Sequence, residues 1–502
     1  MKAGFAAGVR MPSSPIPAVN APFRRGRLAL ATCAAGLCLL QGTALAAEWT
    51  RGANMSVGAV YSDNVELESR NEQDDLYGVV MPSLSLQGKG ARANLDVDAA
   101  LEMNSRSGGG TGNYNPFLNA DGEAEFIEDF FFTSAFARAG QTTTDPFRAS
   151  SDSSLTENEN TGTTYSYGVE PSIRTRLGSF ATFNASTRWD QQVSANDDFD
   201  DSTQQDYRAS LRSGPDFSRL SWGIDGNHRI TDYDDNAGGG DGQDDEYSSV
   251  AIPLGYRLSR KWQLTASVGR EWQDYDAQES DRDDDTWDVG MVWTPTTRTS
   301  LNMGYGDRYF DSTPRFDFSH RSKRTTIRAS YDRTLTTTRD LRARELDFGQ
   351  DNPFGLPFDP STGQPIPISE NRGFLDSGSV IDERFEASVA LQGRVTTLTL
   401  RGQRSEQTRE DNSDEGTFDD LNLDLSRALS SKLSLSLGAR WEGDEDPDGL
   451  TADTMRYYLG LSRQLGVSTS LSFNYQYSDR DSERVDDDYT ENRVSLYLTF
   501  TL

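Results

Sequence analysis

The sequence predicts an all-β protein, a single transmembrane antiparallel β-barrel of about 22 strands, within a range of roughly 18–24. Short periplasmic turns and long acidic extracellular loops are expected to join these strands. Three observations predict this fold class: an export signal, apolar residues at every second position, and connections that alternate between short and long. Residues 1–46 are accordingly assigned to a signal peptide and residues 47–502 to the barrel.

Composition excludes other classes of protein. The chain has 502 residues, with 79 acidic and 49 basic side chains, a formal charge of −30 and a mean hydropathy of −0.68. A helical membrane protein needs runs of about 20 apolar residues, which do not fit so polar a chain. A nucleic-acid partner is not expected, because a strongly acidic surface repels phosphate groups.

The N-terminal segment has the features of a secretory signal peptide. Three arginines between positions 24 and 27 precede the apolar run 28–40, and small residues up to Ala46 provide a cleavage site. Cleavage near Ala46 removes five basic residues and both cysteines, Cys33 and Cys38, and leaves a formal charge of −35. The mature chain is therefore expected to be exported, and to contain no thiol for a disulfide, for catalysis or for zinc binding.

Apolar and polar residues alternate along the mature chain. In the final segment, Val494, Leu496, Leu498 and Phe500 are separated by polar residues. A period of two predicts β-strands with one apolar and one polar face. Soluble sandwiches and outer-membrane barrels both use such strands, with the apolar face toward a protein core in the first and toward lipid in the second. The same pattern occurs at 95–101, 287–293, 433–441 and 471–477.

The connections between the strands favour the outer-membrane barrel. Acidic clusters lie in long connections, whereas basic residues lie at or beside short turns. Short turns at one end and long loops at the other are typical of outer-membrane barrels, and they place both termini on the periplasmic side. The ten predicted short turns are 88–91, 128–131, 177–179, 213–216, 258–261, 295–298, 321–324, 393–396, 428–432 and 464–467. The longer connections, rich in Asp, Gly, Asn and Ser, include 64–74, 105–119, 143–160, 194–204, 234–245, 276–284, 338–379, 409–416, 443–452 and 481–488.

Closure of the barrel follows from the cost of burying free backbone groups in lipid. Each unsatisfied amide or carbonyl costs several kcal/mol there, so an open sheet edge is excluded. Residues 52–62 are therefore predicted to pair antiparallel with residues 489–502. Tryptophans near strand ends are predicted to form interfacial girdles: Trp262, Trp272, Trp287, Trp293 and Trp441.

Catalytic and cofactor motifs are missing from the sequence, which has no zinc-protease, phosphate-loop or dinucleotide signature. Its two histidines, His228 and His320, lie in separate predicted hairpins and are expected to face the lumen or an interface. The acidic stretch 232–245 could wrap Ca²⁺, but it lacks the spacing of an EF-hand and is better explained as a solvated loop. The protein is predicted not to be an enzyme and to use no cofactor.

The polar faces of the strands are predicted to line the barrel lumen. They carry both signs of charge, separated by Tyr, Ser, Thr and Asn side chains. Such a surface either lines a hydrated path or closes the barrel through Arg–carboxylate pairs, and the sequence leaves both open. The lumen-facing candidates are Asp96, Asp98, Arg208, Arg212, Arg328, Arg401, Asp424, Arg456 and Tyr458.

The Pro-rich connection 338–379 is the second predicted feature of the lumen. Barrels of about this strand number usually carry a plug, and no separate plug domain is recognised in the sequence. The connection is therefore predicted either to fold inward as a constriction or to lie outside as an extracellular flap.

Three segments, 49–67, 88–104 and 324–341, resemble the PEP-CTERM system-associated outer-membrane β-barrel proteins, and the resemblance extends over nearly the whole mature chain. It implies a Gram-negative outer membrane and a setting near exosortase sorting and exopolysaccharide loci, and it brings no catalytic residues. Outer-membrane barrels usually end in an aromatic residue that the barrel-insertion machinery reads. This chain ends instead in Leu502, with Phe500 two residues earlier.

These features predict a porin-like passive channel, or an accessory, for export of exopolysaccharide across the outer membrane. The alternative is a structural or surface-interaction barrel with a closed lumen, whose acidic extracellular loops are the working part. An outer-membrane enzyme is the least favoured hypothesis. The expected partners are outer-membrane lipid, the barrel-insertion machinery, polysaccharide and other export components. The substrate, gating state, oligomeric state and any cation binding by the loops are left open.

Overall fold

The structure, a computed structural model, describes residues 48–502 apart from 108–112, 152, 154, 156–159, 196–199, 235–243, 275–281, 347–371, 375–377 and 411–412. The predicted signal peptide at 1–46 and its cleavage site lie outside the described residues. Most of the acidic stretch 232–245 lies outside them as well, so its predicted solvated loop is not described.

The described chain consists mainly of antiparallel β-strands. Their bounds are β1 Glu48–Ser62, β2 Asp75–Lys89, β3 Ala93–Arg106, β4 Tyr114–Ile127, β5 Phe131–Thr143, β6 Thr161–Leu177, β7 Ala181–Ser194, β8 Asp201–Ser213, β9 Leu220–Asp234, β10 Asp244–Arg257, β11 Trp262–Asp274, β12 Arg282–Thr296, β13 Thr299–Arg308, β14 Asp311–Ser312, β15 Arg315–Arg321, β16 Thr325–Thr337, β17 Ser379–Gln392, β18 Thr396–Arg409, β19 Glu415–Ser430, β20 Leu433–Glu445, β21 Thr451–Gln464, β22 Thr469–Ser482 and β23 Tyr489–Thr501. Helix α1 spans Thr338–Glu345, between β16 and β17. Within the described chain, every helix is too short or too polar to cross a membrane.

The strands form one sheet that closes on itself. β1 pairs with β2 on one side and with β23 on the other, in a register that places Asn54 opposite Thr501 and Ser62 opposite Arg493. The two-residue β14 and the following β15 both pair with β13, and counted as one they give a closed barrel of 22 strands. The predicted fold class, strand number and pairing of residues 52–62 with 489–502 are confirmed.

Connections of different length lie at the two ends of the barrel. Ten turns of two to six residues lie at one end, called here the turn end, and each overlaps one of the ten predicted short turns. The opposite end, called here the loop end, carries the longer connections, among them 63–74, 144–160 and 338–378. β1 begins and β23 ends at the turn end, as predicted for both termini.

The two faces of the wall differ in chemistry, as the alternation predicts. On β19, Leu421 and Leu423 face outward and are 46% and 43% exposed, whereas Asp420 and Asn422 face inward and are buried. The same arrangement on the other strands surrounds the barrel with exposed apolar side chains. Exposed apolar surface costs about 25 cal/mol per Å² in water, so a belt of this size fits contact with lipid.

The five tryptophans predicted as girdle residues all lie on the outward face. At the turn end, Trp262 and Trp293 stack with their ring centroids 5.4 Å apart. Trp272, Trp287 and Trp441 lie toward the loop end of their strands. This distribution along the strands suits two interfaces between lipid and water.

Both histidines also face outward. His228 stacks on Tyr207 of β8, with 5.9 Å between ring centroids. His320 pairs with Thr299, and its Nδ1 lies 2.9 Å from the threonine Oγ1. The histidines are expected to face either the lumen or an interface. The lumen prediction is wrong for both, because each occupies an outward position of its strand.

The wall is least continuous at β15. This seven-residue strand pairs at six positions with β13 and at six with β16, whereas β16 and β17 pair at thirteen. Phe310, in the connection beside it, is buried, and the Cζ atoms of Arg308 and Arg333 lie 4.9 and 5.6 Å from its ring centroid. These distances are within the range of cation–π contacts, which stabilise the connection next to the short strand.

A charged substitution distinguishes the two faces of the wall. Leu400→Arg, on the outward face of β18, is expected to destabilise the barrel by about 2–4 kcal/mol, the cost of an arginine in the hydrocarbon region. The matched Thr399→Arg places the same charge on the inward face, opposite Asp424, and is expected to cost less than about 1 kcal/mol. Urea unfolding of the barrel in phospholipid vesicles measures both. Equal losses would contradict the assignment of the apolar face to lipid.

Candidate functional site

Helix α1 enters the lumen from the loop end. Its N-cap residue, Thr337, accepts a hydrogen bond from the backbone amide of Asp340 (3.1 Å), which is a strong local signal for a helix start. Arg339 forms an ion pair with Asp190 and donates from Nε to Ser202 Oγ (2.9 Å). Asp190 and Ser202 lie on the inward faces of β7 and β8, so α1 packs against the inside of the wall.

Further contacts connect α1 to other parts of the wall. Its Asp340 Oδ2 lies 3.1 Å from Arg229 Nη1 on β9. Its Arg344 Nη1 lies 3.5 Å from Asp382 Oδ2 on β17. β7 to β9 and β17 belong to different sectors of the barrel, so α1 spans part of the lumen and obstructs it.

The other end of the same connection also lies inside the barrel. Arg372 Nη2 lies 3.2 Å from Asp420 Oδ1 on β19. The backbone amide of Phe374 donates to Gln407 Oε1 on β18 (3.0 Å). Both described ends of connection 338–379 therefore contact the inner wall, as the ends of a constriction would. Its Pro-rich part, 347–371, lies outside the described residues, so the choice between a constriction and an extracellular flap stays a prediction there.

The connection between β5 and β6 folds inward as well. Phe147 stacks on Phe418 of β19 with 5.1 Å between ring centroids, and it meets Phe374 edge-on at 5.6 Å. The Phe147 carbonyl accepts hydrogen bonds from Arg480 (2.8 Å) and Arg484 (2.7 Å). From the sequence alone this connection is expected outside, and an apolar Phe147 within a polar loop is the signal that could have shown its inward position.

The inward residues of the two connections form one body, called here the loop plug. It consists of 144–151 and 160 from the first connection, and of 338–346 and 372–374 from the second. The aromatic contact between Phe147 and Phe374 joins the two parts. Most of its other contacts with the wall are ion pairs and hydrogen bonds.

Buried ion pairs line one side of the lumen beside the loop plug. Glu442 on β20 pairs with Arg440 and Arg456, and Asp444 on the same strand pairs with Arg480. A buried charge costs several kcal/mol unless an opposite charge compensates it. These pairs therefore neutralise the interior and connect the inward faces of β20, β21 and β22.

All nine predicted lumen residues lie on the inward face, but they are spread over six strands and do not form one site. Arg456 belongs to the buried ion pairs, while Arg208 and Arg212 lie 2.6 Å from their own carboxylate partners, Asp206 and Asp225. Their part in a conduction path stays a prediction. By strand register the inward residues are Asp96 and Asp98 on β3, Arg208 and Arg212 on β8, Arg328 on β16, Arg401 on β18, Asp424 on β19, and Arg456 and Tyr458 on β21.

Two of the nine residues contact each other directly. The Tyr458 hydroxyl hydrogen-bonds to the carboxylate of Asp424, across the intervening strand β20. Gly438 of β20 lies under the tyrosine ring, and a Cβ atom at that position would overlap the ring. A glycine is therefore needed for this close approach.

Below the loop plug, toward the turn end, the lumen contains a cavity of about 570 Å³. Arg339, Asp340 and Ala343 of α1 line its upper part, and β2 to β7 supply its walls. A polar space of this size holds water and suits a polar solute. The charged wall residues have both signs: Lys89, Asp96, Asp121, Glu123, Arg138, Glu170, Arg188 and Asp190.

A second cavity, of about 730 Å³, lies at the loop end between the connections β1–β2, β5–β6 and β22–β23. Its acidic residues include Glu66, Glu68 and Asp486. Within the part of the chain that the structure describes, no group of three or more His, Cys, Asp or Glu side chains could hold a metal ion. The acidic residues give this cavity a negatively charged lining.

Among the described residues outside the strands, two carboxyl groups have shifted pKa values. Burial raises the pKa of Glu345 to about 7, against the opposing effect of hydrogen bonds from Thr143 and the charge of Arg342. Burial also acts to raise the pKa of Asp446, but hydrogen bonds from Arg484 and from backbone amides outweigh it and lower that pKa. Glu345, whose Oε1 accepts from the Thr143 amide (2.9 Å), therefore titrates near neutral pH within the loop plug.

Solved structures with a similar fold are large transporter and receptor barrels. The FrpB iron transporter from Neisseria meningitidis (F3-3 variant) aligns with 93% of this chain and 83% of its own, at 10% identity and a TM-score of 0.53. The ferric-catecholate import receptor Fiu from E. coli K12 aligns with 90% of this chain and 82% of its own, at 9% identity and a TM-score of 0.50. No family model and no curated protein matches the chain. The likeness is one of fold.

Removing one arginine from the buried ion pairs is expected to be costly. Arg480→Ala leaves the carboxylates of Asp444 and Asp487 without this partner and should lower the free energy of unfolding by about 3–5 kcal/mol. Arg404, on the outward face, pairs with Glu406 in an exposed position, so the control Arg404→Ala should cost at most about 1 kcal/mol. Urea unfolding of the folded barrel measures both values, and similar losses would contradict a stabilising role of the buried pairs.

Docking of the loop plug is expected to weaken as pH rises. Because the pKa of Glu345 is raised from its ordinary 4.5 to about 7 in the docked state, the docked state is fully favoured below pH 4.5 and loses up to about 3 kcal/mol as pH rises through 7. Glu345→Gln should remove this dependence.

A cysteine at Thr338, which is 1% exposed, reports undocking through its rate of labelling by a water-soluble maleimide. The labelling rate of the Glu345 protein, divided by that of the Glu345→Gln protein at the same pH, should rise between about pH 5 and about pH 8. A constant ratio would show that Glu345 does not control docking.

Proposed function

We propose that the protein is an outer-membrane β-barrel that acts as a gated passive channel, with exopolysaccharide as the exported polymer. The observation that carries the proposal is the loop plug. It is an obstruction built from the chain's own connections, held to the wall by ion pairs and hydrogen bonds, above a polar cavity.

Three features support a location in the outer membrane. The outward face is an apolar belt with tryptophans toward both ends of the barrel, and the sheet has no free edge because β1 pairs with β23. The predicted export signal would deliver the chain to the periplasm. The fold is that of large transporter and receptor barrels, represented by FrpB and Fiu.

The contacts of the loop plug suit a gate. A hydrogen bond or ion pair that opens into water is replaced by hydration, so each contributes only about 0.5–1.5 kcal/mol net to the closed state. Arg339, Asp340 and Arg372 hold the plug in this way. An apolar core of the same size would resist opening more strongly, because its release would expose apolar surface to water.

The cavity below the loop plug suits a hydroxyl-rich polymer. Carboxylates, guanidinium groups and amides line it, and Phe136 supplies an aromatic ring. The resemblance to a family found near exopolysaccharide loci supports the same class of substrate. Iron transport by FrpB and ferric-catecholate import by Fiu are properties of those proteins, and a likeness of fold alone does not extend them to this chain.

The buried ion pairs favour a second candidate, a structural or surface-interaction barrel with a closed lumen. Glu442 and Asp444 lie among arginines that connect β20, β21 and β22. If the loop plug never leaves the lumen, the acidic connections at the loop end are the working surface. Neither candidate requires catalysis, and we propose no enzymatic role.

Conductance in planar bilayers distinguishes the two candidates. The double variant Arg339→Ala/Arg342→Ala removes contacts of α1 with Asp190, Ser202 and Gln192 and is expected to raise the open fraction at least about tenfold, since it removes two interactions of about 1 kcal/mol or more each. The control Arg212→Ala removes an inward ion pair below the plug and should leave gating unchanged.

No channel activity in any variant, including one that lacks residues 343–375, would overturn the proposed transport and leave the structural barrel. The substrate is tested separately, by comparing secreted polysaccharide in a deletion strain and its complemented parent. Normal secretion in the deletion strain would exclude exopolysaccharide as the cargo.

A further inference from the structure

The turn end of the barrel carries charge of a single sign over more than half of its circumference. Six consecutive turns, from the β10–β11 turn to the β21–β22 turn, connect twelve of the 22 wall strands. Together with the strand residues that flank them, they contain basic residues and no Asp or Glu over 257–262, 294–299, 321–325, 392–397, 427–433 and 463–469. The basic residues, called here the basic crescent, are Arg257, Arg260, Lys261, Arg298, Arg321, Lys323, Arg324, Arg394, Arg427, Lys432 and Arg463, and all are exposed.

The basic crescent differs from the arginines of the lumen in its pairing. Inside the barrel, Arg339, Arg456 and Arg480 lie against carboxylates. Among the described residues, no carboxylate forms an ion pair with any member of the crescent. The remaining turns break the pattern, since Arg92 pairs with Glu128 across the β2–β3 and β4–β5 turns. The charge of the crescent is therefore available to a partner outside the chain.

Exposed apolar residues lie between the basic residues of the crescent. Leu258 is 57% exposed and Val467 is fully exposed, at 100%. Directly beside the turns, on the outward face, Trp262 stacks on Trp293. Basic, aromatic and aliphatic side chains at one level are typical of the boundary between lipid tails and headgroups.

We infer that the basic crescent binds the headgroups of anionic phospholipids in the leaflet at the turn end. The inference rests on the proposed membrane location. Phosphate groups complement the basic residues, while Leu258 and Val467 reach the apolar boundary beneath the headgroups. A soluble acidic protein would match the charge, but it would not account for apolar and tryptophan side chains that continue onto the lipid-facing wall.

The one-sided position of the crescent has a structural consequence. The turns on the opposite sector mix arginines with acidic residues such as Glu128 and Asp216, and they expose Phe126, Ile127 and Phe180. Anionic lipid is therefore expected to collect along β10 to β22, with neutral lipid along the other sector. The barrel thus organises the lipids around it as well as crossing them.

Lipid retention by two matched double variants tests the inference. The mature barrel is placed in nanodiscs with equal amounts of phosphatidylglycerol and phosphatidylcholine, and the lipids that remain bound after release are counted by native mass spectrometry. Arg298→Gln/Arg324→Gln removes two charges from the crescent. Arg92→Gln/Arg219→Gln removes two exposed arginines from the other turns at the same end.

The wild-type barrel is expected to retain phosphatidylglycerol in preference to phosphatidylcholine. In the crescent variant, the ratio of retained phosphatidylglycerol to phosphatidylcholine should fall about fivefold for each removed charge. The control variant should keep the wild-type ratio. Equal retention of the two lipids by the wild type overturns the inference. An unchanged preference in the crescent variant also overturns it, and assigns the crescent to a soluble acidic protein. Failure to insert into nanodiscs of either lipid would instead overturn the proposed function.

Discussion

Backbone hydrogen bonding is the constraint on which the rest of the structure depends. A sheet in lipid has no free edge only when its first and last strands pair, as β1 and β23 do over nine positions. Once the ring of strands is closed, each side chain must point either to the surroundings or to the lumen. The apolar set, such as Leu421 and Leu423, takes the outside, and the polar set is left to fill the interior. The barrel therefore has apolar side chains outside and polar side chains inside, the opposite of a soluble protein.

A polar interior determines how the lumen is closed. The loop plug contains one small aromatic cluster around Phe147, and its remaining contacts join guanidinium groups to carboxylates, as in the pairing of Arg339 with Asp190. Such contacts depend on geometry and protonation more than on the amount of surface they bury. The free energy that holds the loop plug against the wall is thus the sum of many contacts. The contact made by Glu345 is sensitive to pH near neutrality.

The wall could be predicted from the sequence, whereas the loop plug could be predicted only in part. For 338–379 a constriction is one of two alternatives, and 143–160 is expected outside. A strand with one face toward lipid needs an apolar residue at every second position, and the turns at one end of the barrel are short. Both features can be read from short stretches of sequence. Asp96 and Arg401 point inward because each lies next to an apolar residue that points outward. The outward position of His228 could have been predicted from the same alternation. By contrast, Phe147 meets Phe418, and Arg339 meets Asp190, across long separations in the chain. An apolar residue such as Phe147 in a polar loop can indicate that the loop turns inward, but it does not indicate which strand the residue contacts.

The short strand β15 makes the wall uneven in strength. It pairs at only six positions on either side, against nine at the β1–β23 seam and thirteen between β16 and β17. Fewer hydrogen bonds must break to separate β15 from its neighbours. The free energy of local opening is therefore lowest along β15, and its amide protons will exchange fastest among those of the wall. If the barrel wall opens laterally toward the bilayer, the strands will separate at β15, beside Phe310, and not between β1 and β23.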